Sequence, residues 1–119
     1  MSTENVESSP IKEIEPNTPS KYSSRIVKLV GYDDCGGCGN IEGFVNNELK
    51  ANSDVPVTFT KIAADSVEGV AIVKEKKLKT VPFVEECLIP TDPTQKPECR
   101  EVVKNSSFKQ SDLKFKVNS

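Results

Sequence analysis

Histidine is absent from this chain of 119 residues, and that absence removes several chemistries at once. A Cys-His nucleophile pair, a Ser-His-Asp triad and every imidazole metal ligand are excluded. Aromatic residues make up only 6% of the chain and do not interleave with basic ones, so nothing supports base stacking. The net charge is -2 with no dominant basic run, which leaves no electrostatic footprint for nucleic acid. No apolar run approaches the roughly 20 residues needed to span a bilayer. Residues 1–10 also lack the basic flank and apolar stretch of a signal peptide. The expectation is a cytoplasmic, monomeric protein with neither nucleic acid nor a membrane as partner.

What is present is cysteine, four residues of it. In a reducing cytoplasm, paired cysteines are more often catalytic or metal-binding than structural. Cys35-Gly36-Gly37-Cys38 follows a short β-branched run, Arg25 to Val30, and precedes a segment whose Ile41, Phe44, Val45 and Leu49 recur at helical spacing. The pair therefore falls at a strand-to-helix junction. A first helical turn leaves backbone N–H groups unpaired and carries the positive end of the helix dipole, so a thiolate at Cys35 is stabilised. Its pKa should fall below the free value of about 8.5. Cys38, one turn on, shares its helix face and can close a disulfide with it. An exposed attacking thiolate with a resolving thiol in reach is what thiol–disulfide exchange requires.

The length suits one domain with a modest core. Residues 1–24 hold Pro10, Pro16 and Pro19 among polar residues and read as a disordered tail, leaving 25–119 as the domain. After the first strand and a helix reaching about Lys50, Val55 to Ile62 alternates as a second strand. Asp65 or Ser66 caps a second helix with Val67, Val70, Ala71 and Val73 as its apolar face. The lysines from Lys74 to Lys79 complement that helix's dipole, with an acidic-partner patch as the alternative. Thr80 to Ile89 and Cys99 to Val103 form a hairpin across the proline-rich stretch 90–97, and Gln110 or Ser111 caps a third helix carrying Leu113, Phe115 and Val117. The expected architecture is an α/β fold with a four-stranded mixed sheet, a parallel pair extended by an antiparallel hairpin, flanked by about three helices. The glycines around the cysteines are not followed by Gly-Lys-Ser/Thr, which argues against a phosphate cradle.

In this order of elements the chain resembles the thioredoxin and glutaredoxin superfamily. The matching features are Cys35-Gly36-Gly37-Cys38 after the first strand, Ala64-Asp65 before the second helix, and Lys79-Thr80-Val81-Pro82-Phe83 opening the third strand. The resemblance implies a thioredoxin-like fold and a protein-disulfide oxidoreductase, with Cys35 and Cys38 as its catalytic thiols and no cofactor. It further implies that Pro82 is cis beside the thiols, that Val81 offers its backbone to substrate, and that Thr80 and Tyr32 line the groove. The substrate would be a protein or peptide disulfide, and the electron donor a reductase or glutathione.

Departures from the family are specific. Asp34 stands where thioredoxins usually have tryptophan, and Leu29 where they have a buried acidic residue, so a carboxylate proton acceptor for Cys38 is missing. Asn105-Ser106-Ser107 replaces the Gly-Gly that helps glutaredoxins hold glutathione. The lean is toward protein disulfides, with a glutathione-dependent reductase as the alternative. Asp33 and Asp34 oppose the helix dipole's effect on Cys35. Gly36 and Gly37 each cost about 1 kcal/mol in a helix relative to alanine, and are read as letting substrate backbone approach closely.

Two readings of another class stay open. Cys87 and Cys99 could complete a four-thiolate structural zinc site with Cys35 and Cys38, or the chain could be a redox-inert interaction module. Against zinc, such sites usually show a second close Cys-x-x-Cys, whereas Cys87 and Cys99 are twelve apart, and the expected elements bury a core without metal. With a turn near Pro93, residues whose numbers sum to about 186 face each other, and 87 and 99 meet that condition. Those two sulfurs are expected as neighbours able to form a second disulfide under oxidising conditions, which by loop entropy would add about 2 to 3 kcal/mol; the alternatives are a pair that stays as thiols in a reducing cytoplasm, or two unrelated buried cysteines.

Overall fold

The computed structural model describes residues 20–33 and 35–118. Most of the tail expected over 1–24, and Asp34, lie outside the described residues. Strand β1 spans Tyr22–Gly31, so residues 22–24, expected in the tail, belong to the sheet instead. The reason is Tyr22, whose ring is buried and whose hydroxyl donates to Glu98 Oε1 at 2.7 Å. Helix α1 (Gly36–Phe44) continues through a π-helical turn at Val45–Leu49 and a last turn at Lys50–Asn52. The expected stripe of Ile41, Phe44, Val45 and Leu49 is buried along it. Strand β2 (Val57–Ala63), helix α2 (Val67–Lys76), and strands β3 (Phe83–Pro90) and β4 (Glu98–Val103) follow.

The sheet order is β2-β1-β3-β4, with β1 parallel to β2 and antiparallel to β3, and β4 antiparallel to β3 at the edge. This is an α/β fold with a four-stranded mixed sheet and one helix on each face. On one face α1 covers Val27, Leu29, Val84 and Val103. On the other, Ile72 of α2 packs on Val30, Ile62 and Phe83.

Helix α2 corrects the expected apolar face. Val67 is 91% exposed and Val70 is also open to solvent, whereas Gly69 is buried and Ile72 and Val73 are half-buried. A Cβ at Gly69 would collide with the carbonyl of Ala63. Close approach at that glycine, rather than the valine stripe, decides which side of the helix meets the sheet. Ser66 caps α2, its hydroxyl accepting from Gly69 N–H at 3.0 Å.

The third helix expected after Gln110 is absent, and only a single 3₁₀ turn, Gln110–Asp112, forms. Backbone groups that a helix would pair internally are taken by partners from elsewhere. Arg100 donates to Asp112 O, Arg25 Nη1 donates to Lys114 O at 2.6 Å, and Asp54 accepts from Val117 and Asn118 N–H, both at 3.0 Å. Leu113 is still buried, as the apolar pattern implies, but from an irregular strap. Arg25 and Glu86, buried together beneath this strap, form an ion pair that Arg100 extends at 2.9 Å.

Candidate functional site

The site is built where β1 ends. Gly31 closes the strand, and Cys35 adopts the extended N-cap conformation of α1. Its Sγ accepts the backbone N–H of Cys38 at 3.1 Å, satisfying one of the unpaired donors of the first turn. Cys35 N–H itself donates to Tyr32 O at 3.2 Å, which fixes the loop ahead of the helix. Cys35 is half-buried, while Cys38, one turn inward, is 2% exposed and sits among Leu29, Ile41 and Phe44. The two are joined as a disulfide with Cα atoms 5.2 Å apart.

Pro82 faces the pair across a groove. The Val81–Pro82 peptide is cis, and a Cβ at Gly37 would stand 3.4 Å from Pro82 Cδ, an ordinary contact distance. The groove encloses about 500 Å³ and is lined by Cys35, Gly36, Gly37, Asn40, Val81, Pro82 and the strap residues Ser106, Ser107 and Phe108. None of those side chains carries a charge. Phe108 is held from behind by Phe44, with ring centroids 5.9 Å apart.

The expected substrate-binding residues divide between two surfaces. Val81 and Pro82 line the groove with Cys35, but Tyr32 and Thr80 line a neighbouring depression with Val73, Leu78 and Lys79, to which Val81 also contributes. Tyr32 is 45% exposed there. Asp33 points fully into solvent, 3.6 Å from Lys61 Nζ, so its field at Cys35 is screened by water and by that cation. Gly36 has open space where a Cβ would stand, so neither protein contact nor backbone conformation requires glycine at that position.

Sequence reasoning missed two features. Gly31 is needed because Cys38 Sγ occupies the space where its Cβ would be. A glycine ending a buried strand four residues before the cysteine was its only signal. Ser106 and Ser107, which stand where the resemblance puts a glutathione-holding Gly-Gly, do line the groove, but Phe108 beside them was missed because the sequence pattern cannot dock this irregular segment onto the site.

Cys87 and Cys99 are paired residues of the β3–β4 ladder, joined as a disulfide with Cα atoms 4.0 Å apart. Cys87 also faces Ile26, at the middle of β1, whereas Cys35 lies beyond its end. This separation overturns the four-thiolate zinc site. Among the described residues, no cluster of cysteine and carboxylate ligands gathers anywhere. No helix among them is long and apolar enough to cross a membrane.

No family model matches the chain, and no curated protein does either.

Proposed function

We propose that this chain is a thiol–disulfide oxidoreductase of thioredoxin-like fold, acting on protein or peptide disulfides. The observation that carries the reading is the asymmetry of the pair: Cys35 half-exposed at the helix cap, receiving an N–H, and Cys38 buried one turn behind it. In the reduced protein that N–H and the helix dipole favour a thiolate at Cys35. The thiolate attacks one sulfur of a disulfide lying in the groove, forming a mixed disulfide and releasing the other substrate sulfur as a thiolate that then takes up a proton. Among the described residues no carboxylate packs beside Cys38 to take its proton, which passes to the departing substrate sulfur or to water entering the groove; Cys38 then attacks Cys35 Sγ. The Cys35–Cys38 bond closes, the second substrate thiol leaves, and two electrons have passed to the substrate. A reductase or glutathione restores the dithiol, and a reducing compartment such as the cytoplasm suits that cycle.

The uncharged groove favours protein disulfides over glutathione adducts. Glutathione brings two carboxylates, and the lining offers no cation to meet them. Val81, Pro82 and Phe108 instead offer apolar surface for a peptide. The test measures turnover of an insulin-type disulfide and of a glutathione mixed disulfide, each with its own reducing system. Turnover of the insulin-type substrate that Cys35→Ser abolishes is expected. Robust turnover only of the glutathione adduct would reverse the substrate class, and none with either would remove the function.

A further inference from the structure

Helix α2 covers only one end of its sheet face. Near its end Lys76 Nζ lies 3.5 Å from Glu101 of the edge strand, and Glu101 lies two residues past Cys99 on the same face of β4. Among the described residues, the face below that row is open. Thr58, Ile26, Cys87 and Cys99 follow one another across the sheet, Thr58 and Cys99 exposed and the two between them half-buried. Neither sulfur belongs to an apolar core cluster. Among the described residues, the disulfide is therefore neither shielded by a helix nor part of what holds the sheet to its helices.

We infer that Cys87–Cys99 is a second thiol–disulfide exchange site, open to a dithiol reductant while the protein stays folded. The thiolate of the dithiol attacks Sγ of Cys99, the exposed cysteine on the edge strand; a mixed disulfide forms, and Cys87 leaves as a thiolate that takes a proton from water. The second thiol of the reductant, deprotonated, attacks its own partner sulfur in that mixed disulfide and releases Cys99 as a thiol. The dithiol is oxidised to a cyclic disulfide, and the protein gains two electrons and two protons.

The surrounding ladder keeps this step reversible. Val84–Val103, Glu85–Glu101, Glu86–Arg100 and Leu88–Glu98 stay paired without the bond, and Arg100 ties β4 both to Glu86 and to the strap. The thiols thus remain opposed and can reclose. Exchange with Cys35 of the same molecule is ruled out by distance. Cys87 faces Ile26, about 16 Å along β1 from its end at Gly31, and the other pair lies beyond that. The two pairs exchange independently, so this inference stands apart from the proposed function.

The test uses the whole wild-type chain, oxidised, with dithiothreitol as the probe. Aliquots are quenched by alkylation and mapped by peptide mass spectrometry, which reads each pair by itself, while near-ultraviolet circular dichroism follows the fold. Cys87 and Cys99 are expected to become alkylated together, at a rate within about a hundredfold of that in concentrated guanidinium, with the fold retained. Oxidised dithiothreitol should then restore the bond. Slower release, loss of the fold on reduction, or a chain whose Cys87 and Cys99 stay free thiols under oxidant would overturn the inference. Inert Cys35 and Cys38 beside a reactive Cys87–Cys99 would instead count against the proposed function alone.

Discussion

Gly31→Ala tests the packing behind the redox pair. The φ of Gly31 is not in the left-handed region, so alanine is allowed there conformationally and gains about 0.4 to 1 kcal/mol through the unfolded chain. Against that gain, its Cβ would occupy the space of Cys38 Sγ. Cys38 is buried among Leu29, Ile41 and Phe44, so relief requires displacement of packed side chains, at about 1 to 3 kcal/mol. The steric cost wins, and net destabilisation of the oxidised protein should be about 1 to 2 kcal/mol, a Tm lower by about 5 to 15 °C. A second consequence follows from chemistry. In the disulfide, Cys38 Sγ is tied to Cys35, whereas the free thiol can turn to another rotamer. Alanine at position 31 therefore penalises the oxidised form more than the reduced one. A difference of about 1.4 kcal/mol raises the reduction potential by about 30 mV for this two-electron couple. Thermal unfolding of both redox forms, with equilibration against dithiothreitol buffers, measures both effects. An unchanged potential, or a variant equally stable in both forms, would refute the argument that Gly31 exists to seat Cys38.

Glu86→Ala should cost about 3 to 5 kcal/mol in urea unfolding, because it strands the buried Arg25 charge; converting both residues to apolar ones should recover most of that loss. At Asp54, desolvation pushes the carboxyl upward, but the N–H groups of Val117 and Asn118 and the nearby Arg25 together hold it below its ordinary value. A depressed folded pKa means that the strap's anchor is fully present above the unfolded value of about 3.9 and is lost as pH falls through the folded one. The Val117 and Asn118 amide resonances should titrate in that acid range, and in Asp54→Asn they should not. Phe108→Ala should raise KM for peptide disulfides about tenfold through lost apolar contact while leaving alkylation of Cys35 unchanged; an unaltered KM would remove the strap from the substrate site.

The parts of the fold that follow local rules were legible. Strand β1, the stripe of α1, the parallel-plus-hairpin order and the opposition of residues 87 and 99 come from periodicity and turn placement, each within a residue or three of the observed bounds. What escaped the sequence depends on tertiary partners. Valines at positions 67 and 70 look like a buried face until Gly69 allows the helix to rest on the Ala63 carbonyl. Leu113, Phe115 and Val117 look helical until Arg25, Arg100 and Asp54 take the backbone groups that a helix would use. Nothing local to Arg25 shows that Glu86 waits across the sheet. The same gap divided the site: the cysteines and Pro82 carry local signals, while Phe108 reaches the groove only through the strap.

The central claim, that Cys35 attacks and Cys38 resolves, is tested most directly by trapping with Cys38→Ser. The reduced variant is mixed with an insulin-type protein disulfide and quenched in acid, and the adduct is mapped by mass spectrometry. A covalent complex joined through Cys35 Sγ, absent with Cys35→Ser, is the predicted result. No complex, or one joined through Cys38 in the Cys35→Ser chain, would contradict the account.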